Sequence, residues 1–174
     1  MKTFPRPRVV VSKCIEFAPC RYNGAMISDE FVQRLKGYVD FRPVCPEMEI
    51  GLGCPRDPIR VVKTGGRLHL VQPSTERDIT EAMAEFADRF LAAVGEVDGF
   101  LLKSRSPSCG IRDVEMFAGM AEEAAVEFGA GFFARAAIER FPDAPMEDEG
   151  QLAVAAVRER FLEGISERAA ARRR

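Results

Sequence analysis

Three short apolar segments, each followed within a few residues by a cysteine, constrain the fold of this chain more than any other feature. The segments are Arg8–Ser12, 41–44 and 100–104, and the cysteines that follow them are Cys14, Cys45 and Cys109. Apolar runs without polar alternation are typical of strands in a parallel sheet, because such strands are covered on both faces. They predict one α/β domain, Rossmann-like, with a mostly parallel sheet flanked by helices. The carboxyl ends of parallel strands lie at one edge, where open sheets bind ligands, so the three thiols are expected to meet there.

Between these segments the pattern alternates helices, turns and further strands. The predicted elements are a helix from Ser28 or Asp29 to Val39, a hairpin of 59–62 and 67–71, a helix introduced by Asp78 and Glu81, one broken or two separate helices over 120–128 and 132–141, and a final helix over 152–171. The Pro/Gly-rich segment 46–58 is too broken for regular structure, and long irregular segments in compact domains are usually functional. We divide the chain into a main domain, residues 1–145, and a C-terminal helical extension, residues 146–174.

The composition is that of an ordinary globular protein with nearly balanced charge. The 25 Lys and Arg residues oppose 27 Asp and Glu residues, and a net charge of −2 argues against nucleic-acid binding through bulk charge. No apolar run is long enough to cross a membrane, and residues 1–8 lack the apolar core of a secretory signal. We therefore expect a soluble, cytoplasmic protein, and we make no prediction of its oligomeric state.

Cysteine chemistry is the main candidate for function. The chain has five cysteines and a single histidine, His69, which is expected to be an outward-facing strand residue. Zinc sites built on several histidines and Cys–His dyads are therefore disfavoured, so metal binding would depend on thiolates and carboxylates. Cys-x-x-Cys pairs are absent from the sequence, which argues against zinc ribbons and bacterial ferredoxins. Three dispersed cysteine ligands would leave one metal position open; the alternative is that these cysteines are small buried core residues.

Several stretches around the cysteines form a recognisable pattern. They are Ser12-Lys13-Cys14, Cys20-Arg21-Tyr22-Asn23-Gly24, Pro43-Val44-Cys45-Pro46-Glu47, Glu49-Ile50-Gly51-Leu52-Gly53, Pro55-Arg56, and the run from Leu102 to Gly110 that ends in Ser-Pro-Ser-Cys-Gly. In these stretches, which span most of residues 8–140, the sequence resembles the thiouracil desulfidase (TudS) family. The pattern is closest to the branch in which this domain is fused to a second domain and acts on thiolated tRNA. We expect that second domain to be absent here.

The resemblance implies a [4Fe-4S] cluster bound by Cys14, Cys45 and Cys109, with the fourth iron free to bind a sulfur atom. The implied reaction is the non-redox replacement of sulfur by oxygen in a thiolated pyrimidine, with release of hydrogen sulfide. Thiouracil and 4-thiouridine, free or in tRNA, are the implied substrates. Glu47 matches the catalytic acid/base of the family, and Ser106 matches a serine implicated at the same site. The chemistry agrees, because a leaving sulfide needs a thiophilic Lewis acid and a carboxylate two residues from a ligand can move a proton.

Residues beside these motifs are candidates for contact with a substrate. The candidates are Arg21, Tyr22, Asn23, Lys103 and Ser108. The cations would hold an anionic group, and Tyr22 and Asn23 would stack on and hydrogen-bond a pyrimidine. The basic end of the chain, from Arg168 onwards, is expected to complement the dipole of the last helix or to be solvated.

Two further cysteines keep an alternative open. Cys20 belongs to the usual pattern of the branch, and we interpret it as a neighbour of the cluster. If Cys20 were instead a fourth ligand, the protein would be a non-enzymatic iron–sulfur or zinc-binding module. Cys54 departs from the family pattern, in which an apolar residue is usual at that position.

Overall fold

The computed structural model describes residues 5–172, which form two β-sheets and five helices. The strands are β1 Arg8–Ser12, β2 Asp40–Val44, β3 Arg60–Thr64, β4 Arg67–Gln72, β5 Arg77–Asp78, β6 Gly99–Leu102, β7 Val114–Phe117, β8 Ala125–Gly129 and β9 Met146–Asp148. The helices are α1 Glu30–Leu35, α2 Pro46–Glu49, α3 Thr80–Ala93, α4 Phe132–Arg140 and α5 Ala155–Ala171, with short 3-10 helices at Pro73–Thr75 and Gln151–Ala153.

The first sheet is parallel throughout and has the strand order β2-β1-β6-β9. The chain adds β2 on one side of β1 and later returns to add β6 on the other side. The direction in which strands are added therefore reverses between β1 and β6. Open parallel sheets bind ligands at the carboxyl side of such a reversal. The predicted α/β domain with a parallel sheet flanked by helices is confirmed.

Both faces of the parallel sheet are buried, which explains the apolar runs without alternation. Val10 and Phe100 belong to a core shared with α3, α4 and the second sheet, whereas Val9, Val11 and Leu101 belong to a core shared with α1 and α5. These five side chains are at most 1% exposed. Burying each such side chain contributes about 1.5–3 kcal/mol to the stability of the fold. The sheet therefore holds the loops at its carboxyl edge in fixed positions.

The second sheet is mostly antiparallel, with the order β5-β4-β3-β7-β8 and one parallel pair, β3 and β7. The predicted hairpin is confirmed as β3 and β4. It turns through Gly65 and Gly66, whose φ angles of +56° and +75° suit a two-residue hairpin turn. His69 lies on β4, and its Nδ1 is 3.1 Å from Asp78 Oδ2.

Some local predictions are wrong. The helix expected over residues 120–128 is absent, and Ala125–Gly129 is instead β8, paired with β7. Its apolar residues flank Glu127 on both sides, and a period of two favours a strand over a helix. The helix expected after Asp78 is present as α3, which begins at Thr80, and Asp78 accepts a hydrogen bond from the Thr80 N–H at 2.9 Å. Within the irregular segment, Pro46–Glu49 forms the short helix α2.

The chain beyond residue 145 contributes to the parallel sheet. Strand β9 pairs with β6 as its fourth strand, and α5 covers one face, with Ile165 only 1% exposed. Arg172 Nη2 lies 2.9 Å from Asp98 Oδ2, and the last two arginines of the basic end lie outside the described residues. No helix in the described range is both long enough and apolar enough to span a membrane.

Candidate active site

A cavity of about 660 Å³ lies at the carboxyl edge of the parallel sheet and is bounded on its other side by the second sheet. On the side of the parallel sheet, the lining includes residues that could take part in chemistry: Cys14, Cys20, Cys45, Glu47, Lys103, Ser106 and Cys109. Those on the second side include Ile59, Arg60, Glu115 and Phe117. Its volume lies within the range of pockets that bind small organic ligands, roughly 300–1,000 Å³.

The three predicted cysteines line this cavity together. Cys14 lies two residues after β1, Cys45 directly after β2, and Cys109 in the loop that follows β6. They are 9%, 6% and 3% exposed, and all are free thiols. Burial raises the pKa of Cys14 to about 12, with further contributions from Cys45 and Glu47, and burial also raises the pKa of Cys109. Thiolates at this site therefore require a cationic partner.

Cys20 is a fourth cysteine at the same cavity, whereas Cys54 lies outside its lining. Cys20 is 5% exposed, and Cys45 Sγ lies 3.8 Å from the Cys20 carbonyl oxygen. A hydrogen bond between these two thiols, together with burial, raises the pKa of Cys45. Cys54 Sγ instead contacts the carbonyl oxygens of Pro19 and Arg21 at 3.2 and 3.3 Å. The fold therefore brings four of the five cysteines to one place.

Glu47 lies in the first turn of α2 and begins a chain of buried hydrogen bonds. Its Oε1 accepts a hydrogen bond from Ser108 Oγ at 2.5 Å, and its Oε2 lies 4.0 Å from Arg56 Nη2. Ser108 Oγ is 3.1 Å from Ser106 Oγ, which accepts from the Cys109 N–H at 3.0 Å. Ser108 has no exposed surface, and Ser106 lines the cavity. This connectivity between a buried carboxylate and a hydroxyl group at the cavity is what a proton relay requires.

The loop that carries both serines is held by the first turn of α4. The N–H groups of Phe132 and Ala134 donate to the carbonyl oxygens of Pro107 and Ser108 at 3.2 and 3.0 Å. The first N–H groups of a helix have no partner within it, so α4 and the loop complete each other's hydrogen bonds. Gly131 is so close to this loop that a Cβ atom there would lie 2.6 Å from Pro107 O.

The other predicted contact residues differ in their placement. Arg21 and Tyr22 line the cavity, with Arg21 Cζ 5.9 Å from the centroid of the Tyr22 ring. Asn23 does not line it, and its Oδ1 accepts a hydrogen bond from the backbone N–H two residues later. Lys103 lines the cavity, but its ammonium is paired with Glu149 Oε1 at 2.6 Å.

The sequence did not indicate the side of the cavity that the second sheet supplies. Arg60 lies over the ring of Phe117, with its Cζ 3.9 Å from the centroid, and both residues line the cavity. The alternation of apolar and charged residues at the start of β7 could have indicated this strand, but a strand of four residues is too short to establish a period of two.

Comparison with known proteins identifies the family. A profile of the family described as 2-thiouracil desulfurase matches residues 9–149, a range that contains all five cysteines and Glu47. The chain belongs to this family. A curated relative, the uncharacterised protein YbbK of Bacillus subtilis (strain 168), is 34% identical over 110 residues, which are 59% of this chain and 72% of the relative. A solved structure, described as the [4Fe-4S]-dependent thiouracil desulfidase TudS, is 28% identical, matches with a TM-score of 0.65, and covers 89% of this chain and 99% of its own.

The donor set of this 2-thiouracil desulfurase family member is rich in thiols, the ligand type of iron–sulfur clusters. Within residues 5–172, no three Cys, His, Asp or Glu side chains are close enough to enclose one metal ion. In an iron–sulfur cluster each thiolate binds a different iron, so the ligands surround a group of atoms rather than converge on one. Buried, reduced cysteines spaced around one cavity have the donor chemistry that such a group requires.

Proposed function

We propose that this protein is a [4Fe-4S]-dependent thiouracil desulfidase, which replaces the sulfur of a thiolated pyrimidine by oxygen. The observation that carries the proposal is that Cys14, Cys45 and Cys109 meet at one cavity beside the buried Glu47. Membership of the 2-thiouracil desulfurase family and the likeness to a structure described as a thiouracil desulfidase support it. Thiouracil and 4-thiouridine, free or in tRNA, are the candidate substrates, and tRNA is the candidate macromolecular partner.

The three cysteines would hold the cluster, and Cys20 would lie beside it. When bound, the cluster supplies a thiophilic Lewis acid for the leaving sulfur. The reaction balances with one water molecule: its oxygen bonds to carbon, the carbon–sulfur bond breaks, and both protons leave with the sulfur as hydrogen sulfide. No electron is transferred between substrate and protein.

Glu47 is the proposed acid/base, and its neighbours set its position. Its carboxylate takes a proton from the attacking water and returns it to the departing sulfur. Ser108 donates to Oε1 and Arg56 lies beside Oε2, so the carboxylate is held from both sides. Ser106 Oγ, at the cavity, orients the water or the substrate.

Anaerobic purification with iron and sulfide analysis tests this proposal, with release of sulfide from 2-thiouracil and 4-thiouridine measured on the same sample. We expect about four irons per chain and sulfide release by the wild-type protein. Glu47→Gln should keep its iron and lose turnover by at least about 100-fold, because general acid–base catalysis contributes that much or more. Glu49→Gln, an exposed site on the same helix, is the matched control.

Two results would contradict parts of the proposal separately. A wild-type protein that cannot be loaded with iron removes the cluster. Wild-type turnover in Glu47→Gln removes the acid/base role but leaves the cluster in place. Adding thiolated tRNA to the same assay ranks it against the free base and the nucleoside.

A second candidate function is a non-enzymatic iron–sulfur or zinc-binding module, which the position of Cys20 favours. Cys20 is buried at the same cavity as the other three thiols and contacts Cys45. Cys20→Ser separates the candidates, with Cys54→Ser as a control outside the cavity lining. Loss of the cluster in Cys20→Ser indicates a four-cysteine module, whereas a retained cluster with full sulfide release indicates the enzyme.

We propose a cytoplasmic location as well. All five cysteines are free thiols, and reduced thiols persist in reducing compartments. Fractionation of the source cells with an antibody against the chain checks this location.

A further inference from the structure

Glu149 connects the end of β9 to the beginning of the loop that carries the site serines. Its side chain is 14% exposed, and its Oε1 lies 2.6 Å from Lys103 Nζ. The same oxygen accepts a hydrogen bond from Ser104 Oγ at 2.8 Å, and Oε2 accepts one from the Ser104 N–H at 2.9 Å. Burial alone would raise the pKa of Glu149, but the hydrogen bonds from Lys103 and Ser104 outweigh it and keep the pKa low. The carboxylate is therefore ionised, and both of its oxygens are bound by these two residues.

Lys103 is correspondingly fixed at the edge of the cavity. Its ammonium has three acceptors for three N–H groups: Glu149 Oε1, Ser104 O at 2.8 Å and Ser104 Oγ at 3.0 Å. Its backbone N–H donates to Ser12 Oγ at 2.9 Å. Lys103 and Cys14 line the same cavity. With its three N–H groups occupied by Glu149 and Ser104, the ammonium is not free to bind a substrate.

We propose that Glu149 is a positioning residue for desulfidation. Acting through Lys103 and Ser104, it fixes the start of the loop that presents Ser106, Ser108 and Cys109, and it holds the ammonium of Lys103 at the edge of the cavity. The inference rests on the proposed function, because the loop and the charge matter only if this cavity performs the chemistry. It assigns a role to the residue that directly follows β9, which no sequence motif of the cavity includes.

The neighbouring carboxylate of β9 provides a matched comparison. Glu147 Oε2 pairs with Arg112 Nη2 at 3.2 Å, and the Arg112 side chain is 47% exposed. Neither residue lines the cavity. Glu147→Gln therefore removes a carboxylate two residues from Glu149, together with a more exposed ion pair, without removing an acceptor of Lys103 or Ser104.

The test compares Glu149→Gln, Glu147→Gln, Lys103→Met and the Glu149→Gln/Lys103→Met double variant as cluster-loaded proteins. The readouts are kcat and KM for 2-thiouracil and the visible circular dichroism of the cluster. We expect Glu149→Gln to lower kcat about 10- to 100-fold, the loss that a small misplacement of reacting groups causes. KM should stay within about two-fold, because the ammonium of Lys103 is not available to a substrate. The dichroism should change in Glu149→Gln and not in Glu147→Gln.

If Glu149 acts through Lys103, adding Glu149→Gln to Lys103→Met lowers kcat by less than it does in the wild-type protein. Glu149→Asp, which keeps the charge, should recover part of the loss. A raised KM with normal kcat would overturn the proposal and make Lys103 a substrate-binding residue. Wild-type kcat in Glu149→Gln would also overturn it. So would a double variant whose loss of kcat equals the product of the two single losses, because the two residues would then act independently. If the wild-type protein itself releases no sulfide, the proposed function fails first, so the two failures are distinguishable.

Discussion

The buried serine between Glu47 and Ser106 is the residue on which the geometry of the proposed acid/base depends. Ser108 Oγ lies 2.5 Å from Glu47 Oε1 and 3.1 Å from Ser106 Oγ. With no exposed surface, it cannot reach a substrate directly. Its contribution is to orient the carboxylate and to connect it with a hydroxyl group at the cavity.

Ser108→Ala should therefore reduce turnover without removing the cluster. The lost hydrogen bond to a charged group corresponds to about 1.5–3 kcal/mol, or about a 10- to 100-fold fall in kcat. Iron content and kcat on one preparation measure both effects. Ser166→Ala is the control, because that hydroxyl lies on the exposed part of α5 and donates to Leu162 O. Unchanged kcat with full iron content would show that Ser108 does not position Glu47.

At the scale of an element, the start of α4 determines the shape of the Ser-Pro-Ser-Cys-Gly loop. Gly131 is the N-cap of this helix, with a φ of −69° that any residue can adopt. It is required for space rather than for backbone freedom, because a Cβ atom would lie 2.6 Å from Pro107 O and 2.7 Å from Ser108 O. Both are rigid backbone atoms of the loop that carries Cys109.

Gly131→Ala should displace this loop and reduce both iron content and sulfide release. Contacts this short must be relieved by movement of the backbone, and a shift of about 1 Å at a site can lower the rate about 100-fold. Gly119→Ala is the control, because its Cβ would lie 3.5 Å from a flexible Glu122 side chain. Iron analysis of the two purified variants makes the comparison. Equal iron content and turnover would mean that the loop tolerates a Cβ atom there.

At the scale of the whole molecule, the cavity lies between the two sheets, and α5 packs on one face of the parallel sheet. Ile165 on α5 is 1% exposed and lies so close to β6 that a Cβ atom at Gly99 would be 2.5 Å from its Cγ2. The packing of α5 on this face therefore holds β6 in place, and β6 precedes the loop that carries Cys109.

Ile165→Ala should lower the free energy of unfolding by about 2–5 kcal/mol, the cost of truncating a buried aliphatic side chain. Val154→Ala is the surface control, since Val154 is 53% exposed and the expected change is within about 0.5 kcal/mol. Urea unfolding of both variants, without the cluster, gives the two values. A loss below about 1 kcal/mol for Ile165→Ala would mean that α5 is not tightly packed on the sheet.

The sequence by itself determined the parallel sheet and the convergence of Cys14, Cys45 and Cys109. Both follow from local signals, because a buried parallel strand needs a continuous apolar run and a residue just after such a run must lie at the carboxyl edge. The position of Glu47 follows in the same way, since it is two residues from Cys45.

Only the tertiary structure decided what surrounds those thiols. The second sheet, the burial of Ser108 and the pairing of Lys103 with Glu149 each depend on contacts between segments far apart in the chain. The strands concerned, β7 and β9, have four and three residues, too few to carry a period of their own. Such strands form because β3 and β6 offer unpaired backbone groups beside them, and that requirement exists only once the rest of the chain has folded.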